Sequence, residues 1–241
     1  MFTIALAAAG AALGAALAGL GAGLGNRFGL WTYGTGFRIL SAAAAVGAMG
    51  ALASLAAGFW SWRVRAYRAL AASLLGVAAG ALVLGVPVTE IYQAKSVPPI
   101  HDISTDTGHP PQFVALLAAR EASPNGAAYG GAALAEAQHR AYPDIRPLDY
   151  PARPPVAFER SLAAARKLGW TIAAADARAL RIEATATTFF FGFKDDVVVR
   201  ITPLGSGSRI DVRSASRVGV SDLGANARRI RAFFRDLARQ G

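Results

Sequence analysis

Apolar and polar positions divide the chain into two regimes. The first 26 residues, Ile39 to Trp62 and Ala69 to Thr89 contain no charged side chain. Crossing a hydrocarbon core of about 30 Å takes about 20 consecutive apolar residues. The pattern therefore predicts a bundle of three transmembrane helices over about 3–25, 39–62 and 69–92, forming an anchor in residues 1–94. Most of the prolines fall in residues 95–154, where Pro98-Pro99 and Pro110-Pro111 interrupt any long periodic element. That segment is predicted to be a linker with two short helices, Phe113 to Arg120 and Ala132 to Ala141.

Residues 155–241 return to regular patterning. Phe158, Leu162 and Ala165 share one side of a helix from Val156 to Leu168, closed by Gly169. Four strands are predicted at Trp170–Ala174, Leu180–Thr187, Asp195–Thr202 and Arg209–Ser216, with a hairpin turn at Pro203–Gly207. Leu180, Ile182 and Ala184 alternate with Arg181, Glu183 and Thr185, and Ile210 and Val212 with Asp211 and Arg213. A last helix, about Ser221 to Arg239, buries Leu223, Ala227, Ile230, Phe234 and Leu237. The expected fold is an α+β domain in which two helices pack on one side of an antiparallel four-stranded sheet.

The first segment begins with no Lys or Arg and is apolar for too long to be a cleaved signal, so it is expected to remain as a helix. Gly10-xxx-Gly14-xxx-Ala18 and Gly76-xxx-Gly80 give the small-residue spacing that lets helices approach closely, within a bundle or in a homo-oligomer. Arg63, Arg65 and Arg68 crowd one short loop, whereas Arg27 and Arg38 are spread over another. The denser loop is expected on the cytoplasmic side of the inner membrane, which would leave the C-terminal domain periplasmic or extracytoplasmic.

Net charge is +10, carried by both regions. A basic domain held beside a bilayer is drawn to anionic headgroups by about 1 kcal/mol for each Lys or Arg near the surface. The bilayer is therefore the expected partner, and nucleic acid is not. The chain has no cysteine, which excludes disulfides and thiolate metal sites. The glycines of the first segment follow no strand, so they form no dinucleotide fingerprint, and no cofactor is expected.

Phe191-Gly-Phe-Lys-Asp-Asp-Val197, followed by Arg213-Ser-Ala-Ser-Arg-Val-Gly-Val-Ser-Asp-Leu-Gly-Ala-Asn-Ala-Arg-Arg-Ile230, resembles the bacterial family known as domain of unknown function 1499. The resemblance reaches back to about Ile100, because His101-Asp102-Ile-Ser-Thr-Asp106 and Tyr142-Pro-Asp-Ile-Arg-Pro147 are similar to that family's subgroup with N-terminal membrane helices. It implies no established activity. Other members carry lipoprotein-like signals, which implies an exported domain. Many relatives have cysteines around the segment matching Glu121-Ala-Ser-Pro-Asn-Gly126, and this chain has none there.

The motif offers one candidate cluster: Asp195, Asp196, Arg213, Ser214, Ser216, Arg217, Ser221, Asp222, Asn226 and Arg229. Asp222, Asn226 and Arg229 fall on one side of the last helix, and Arg217, Gly219 and Ser221 precede its start, where free N–H groups favour an anion. A phosphate, sulfate or carboxylate could dock there with Arg213 and Arg229. Alternatively the cluster is structural, with Ser221 or Asp222 capping the helix and Asp195 or Asp196 pairing with Arg213 or Arg217. Arg228, Arg231, Arg235 and Arg239 form a stripe that is either solvated or turned to anionic lipid. Phe189, Phe191 and Phe193 are expected on one side of a strand, as core or as the wall of an apolar pocket.

His101, Asp102, Asp106 and His109 are of metal-ligand type, but the flanking prolines extend the segment and no metal is expected. Gly219-Val-Ser-Asp-Leu223 lacks the second glycine of a nucleophile elbow, and no His follows it. No catalytic residue is assigned. The expected role is that of a membrane-anchored interaction or scaffold module, with a binder of lipid or a small anion and an unrecognised enzyme as alternatives.

Overall fold

The structure, a computed structural model, describes residues 2–239; Met1, Gln240 and Gly241, which fall within the expected anchor and domain, lie outside that range. The chain divides into two compact units, Met1–Tyr92 with Phe189–Gly192, and Gln93–Thr188 with Phe193–Gly241.

The first unit contains α1 (Phe2–Arg27), α2 (Tyr33–Arg63) and α3 (Tyr67–Ser96), all three long and apolar enough to cross a membrane. Their buried faces are made of small residues: Ala5, Ala8, Ala12, Ala15 and Gly19 on α1; Ala43, Gly47, Gly50 and Ser54 on α2; Ser73, Gly76, Ala79 and Gly80 on α3. Leu13, Leu17, Leu52, Leu55, Leu74 and Leu82 point outward. This inversion suits a solvent that is itself apolar, where backbone approach and dispersion hold helices together. A Cβ at Gly76 would lie 2.9 Å from Ala9 Cα, so α3 can meet α1 only through a residue without one. Gly76-xxx-Gly80 thus sits inside the bundle, whereas Gly10, Gly14 and Ala18 are exposed on its outside.

The second unit is built on an antiparallel sheet of six strands rather than four. In chain order these are β1 (Asp102–Ser104), β2 (Leu148–Tyr150), β3 (Thr171–Asp176), β4 (Arg181–Thr187), β5 (Lys194–Leu204) and β6 (Gly207–Ser216). Spatial order is β1-β6-β5-β4-β3, with β2 pairing beside β1 along the same edge of β6. The two extra strands are three residues each and come from the proline-rich segment, where Asp-Ile-Ser and Leu-Asp-Tyr are too short to show an alternation. β5 and β6 form the long central hairpin, turned at Gly205 with φ +56° at the first of two loop residues.

α6 (Pro154–Lys167) and α7 (Ala225–Ala238) cover one face of the sheet, closing on Ile182, Val197, Val199, Ile201, Ile210 and Val212. Trp170 stacks on Phe233 at 5.3 Å in that core. The opposite face is also covered. Residues 105–130, including α4 (Leu117–Glu121), lie across it and place Phe113 and Leu116 on Val198 and Ala215. α5 (Gly131–Ala141) closes the β1 edge, because the Gln138 side chain accepts from Ser104 N–H at 2.9 Å and donates to its carbonyl at 2.7 Å. The last helix begins at Ala225, later than the expected Ser221, since Asp222 and Gly224 are spent on the turn before it. Phe189–Phe191 belong to the turn between β4 and β5, with Gly192 at φ +70°, and not to a strand, so they wall no pocket between sheet and helices.

With both faces covered by its own chain, residues 93–241 expressed without the helices should fold independently. A single cooperative melt is expected, with near-ultraviolet dichroism from the Trp170–Phe233 stack; a flat melt or aggregation would show that the helices complete the core.

Candidate functional site

Successive residues of a strand face opposite ways, so β5 and β6 sort the candidate cluster onto two faces of the sheet. Asp195, Ser214 and Ser216 face α7, whereas Asp196 and Arg213 face the segment 105–130. The sheet itself lies between the two groups.

On the α7 face, Arg229 donates to Asp195 Oδ2, to Asn226 Oδ1 and, at 3.0 Å, to Ser214 Oγ. Ser214 Oγ donates to Asn226 Oδ1 at 2.7 Å, and Asn226 Nδ2 donates to Ser216 Oγ at 3.0 Å and to the His101 carbonyl at 2.9 Å. Asn226 and Ser214 are fully buried and Asp195 almost so. The buried polar side chains of Ser214, Ser216 and Asn226 are thereby hydrogen-bonded to one another or to their neighbours. The start of α7 is occupied as well. Asp222 accepts from Gly224 N–H at 2.8 Å and from Asn226 N–H at 2.7 Å, so the protein's own carboxylate takes the place an anion would fill. Burial pushes Asp222 above the usual carboxylate range, and these two bonds only partly pull it back. Ser221 Oγ accepts from Leu223 N–H.

On the opposite face Arg213 forms a fork with Asp102, at 3.0 and 2.7 Å, and lies between the rings of Phe113 and Tyr129 at 4.9 and 5.4 Å. Asp196 takes a second fork from Arg217 at 2.8 and 2.9 Å and a bond from Thr185 Oγ1 at 2.8 Å. Bonding to Asp196 holds Arg217 above the ordinary guanidinium range. Arg120, 1% exposed, stands 3.7 Å from Asp196, donates to the Ala215 carbonyl and rests on the same Phe113 ring. Burial lowers its affinity for the proton, opposed by Asp196 and Asp102. Glu183, wholly buried on β4, accepts the backbone N–H groups of Val114, Ala115 and Leu116 at 2.9 to 3.1 Å. Asn125 fastens the end of this cover, donating to the carbonyls of Ser216 and Gly219.

A family model for a protein of unknown function, DUF1499, matches residues 102–237, from the first residue of β1 to the last turn of α7. The chain belongs to the DUF1499 family. No curated protein matches the chain. The match takes in the cover segment as well as the central hairpin, so the DUF1499 unit comprises both faces described above.

The four histidine and aspartate candidates for a metal do not converge. Asp102 is held by Arg213 and Asp106 by Arg200, while His101 Nδ1 lies 3.3 Å from the Val220 carbonyl and His109 offers its backbone N–H to Asp106. Among the described residues no group of three metal-ligating side chains forms. Of the arginine stripe, Arg231 pairs with Asp144, and Arg228 donates to the Leu223 carbonyl. Glu183, Arg120 and Tyr129 were not candidates from sequence. Glu183 alone had a signal, the polar side of β4 formed by Arg181, Glu183 and Thr185, whereas Arg120 and Tyr129 lie in the cover segment, where no strand period marks them.

Two expectations follow. Arg229→Ala strands Asp195, which has no second ion-pair partner among the described residues, and should cost about 3 kcal/mol; Arg217→Ala leaves Asp196 with Arg120 and Thr185 and should cost about 1 kcal/mol. Denaturant unfolding at unchanged m-value checks the order. Burial also pushes the Tyr129 hydroxyl up to about 12. Its folded form holds the proton more tightly than the unfolded one, so this contribution to stability is present below the unfolded pKa of about 10 and is lost as pH rises towards the folded value. An ultraviolet difference titration of wild type against Tyr129→Phe should show the missing phenolate appearing near the upper value.

Proposed function

We propose that the chain is a membrane-anchored module of the cell envelope whose DUF1499 domain is exported and acts by interaction, as a scaffold or docking unit, rather than by catalysis. One observation carries this reading: every residue of the candidate cluster is already engaged within the fold. Asp195 is held by Arg229, Asp196 by Arg217, and Asp102 by Arg213, while Asp222 takes up the free N–H groups before α7. An acid, base or nucleophile needs a reacting atom within hydrogen-bond reach and a side chain free to exchange its proton. Here the charged groups are committed to forks and caps, and Ser214 and Ser216 serve Asn226.

The export part of the proposal is supported by Arg63, Arg65 and Arg68 between α2 and α3, which favour a cytoplasmic loop there and hence a C-terminal domain on the other side. Fusions to the C-terminus test it. A phosphatase active only outside the cytoplasm should be active, and a fluorescent protein that matures only inside should be dark. The reverse pattern would move the domain to the cytoplasm.

A further inference from the structure

An apolar groove of about 310 Å³ runs between α2 and α3 at the end of the bundle where these helices join. Leu55, Phe59, Trp62 and Leu74 line it and are each more than half exposed, so no part of the bundle fills it. Three exposed guanidinium groups crowd the joining turn, Arg63, Arg65 and Arg68. They have no acidic counterpart nearby in sequence, since the first Asp or Glu of the chain is Glu90, near the far end of α3. The turn is drawn tight by Ala66 N–H on the Ser61 carbonyl at 2.8 Å and by Arg65 at φ +54°, which keeps the three charges together. Arg63 lies 5.6 Å over the Phe59 ring, at the mouth of the groove. Arg68 lines a second hollow of about 390 Å³ at the same end, with Phe2 and Tyr67.

We propose that this end of the bundle is a binding site for an anionic phospholipid, its acyl chain in the α2–α3 groove and its phosphate on Arg63, Arg65 and Arg68. A chain in the groove gains nothing from leaving water, because the competing environment is also hydrocarbon. Preference therefore comes from the headgroup. A basic pocket between transmembrane helices attracts an anionic headgroup by about fivefold for each arginine near the surface. The site holds in whichever leaflet the turn lies, so it stands apart from the export proposal.

The test uses the full chain, purified and reconstituted in phosphatidylcholine vesicles that carry a minor share of brominated phosphatidylglycerol or brominated phosphatidylcholine. Bromine quenches tryptophan on contact, and the part due to Trp62 is the difference from Trp62→Phe. Wild type should reach the same Trp62 quenching at a severalfold lower share of the anionic lipid. R63Q/R65Q/R68Q should erase that preference, R63K/R65K/R68K should keep most of it, and Val77→Phe should weaken contact with both lipids by filling the groove. Far-ultraviolet dichroism, dominated by the three long helices, reports that each variant keeps the bundle, and emission from buried Trp170 reports the second unit. Equal quenching by the two headgroups in wild type, or a preference that survives the glutamine variant, would overturn the proposal. Shielding of Trp62 from both lipids would overturn it too, showing a second copy in the groove.

Discussion

The domain depends on one constraint: its central hairpin carries ionised groups into both of its covered faces, and each must meet an opposite charge there. Asp196 and Asp211 are nearly or wholly inaccessible on one face and Asp195 on the other. Leaving any of them unpaired would cost several kcal/mol, comparable with the whole stability of a small domain. The partners come from far along the chain. Arg120 arrives with the cover segment, Asp102 with β1 and Arg229 with α7, and Arg200 joins Asp211 to Asp106 across the hairpin. Satisfying the charges therefore fixes where those segments lie, which is how a proline-rich stretch with little regular structure acquires one conformation.

Glu183 shows the same logic with the backbone as partner. A segment such as 113–116 has too little secondary structure to satisfy its own N–H groups, and burying it against a sheet would ordinarily be unfavourable. A carboxylate that receives three of them removes the difficulty and anchors Phe113 and Leu116 on Val198 and Ala215 at the same time. Buried charge and buried apolar area thus stabilise the same contact. Two arginines, Arg120 and Arg213, share the Phe113 ring and extend that arrangement, although Arg120 Nε is left buried without a hydrogen-bond partner.

How much was readable from sequence follows from these interactions. The uncharged runs foretold three membrane-length helices, and a period near 3.6 with Gly169 as terminator located α6. Strands β3 to β6 came from alternation and the glycine turn. The alternation of Arg181, Glu183, Thr185, Asp211 and Arg213 with apolar residues did not reveal that a second cover lies on their face. Period two states only that two faces differ; it does not say whether the polar one meets water or meets its counter-charges. β1 and β2 escaped because their pairing is supplied by β6, not by any propensity of Asp-Ile-Ser or Leu-Asp-Tyr. In the helical unit the exposed Gly10 stripe and the buried Gly76 stripe have the same spacing, and only the fold distinguishes them.

The family resemblance takes on a different meaning in this light. Its motif runs through Asp195, Asp196, Arg213, Arg217, Asp222, Asn226 and Arg229, which are the residues that pin the cover to one face and α7 to the other. Those roles require those residue types whatever the domain binds, because a lysine cannot make the forks and an alanine cannot satisfy the N–H groups before α7. A motif accounted for by folding is no pointer to a ligand. Specificity in such a molecule belongs to groups the fold leaves without a counterpart, and the three arginines beside an unfilled groove in the helical unit meet that description, whereas the paired arginines of the hairpin do not.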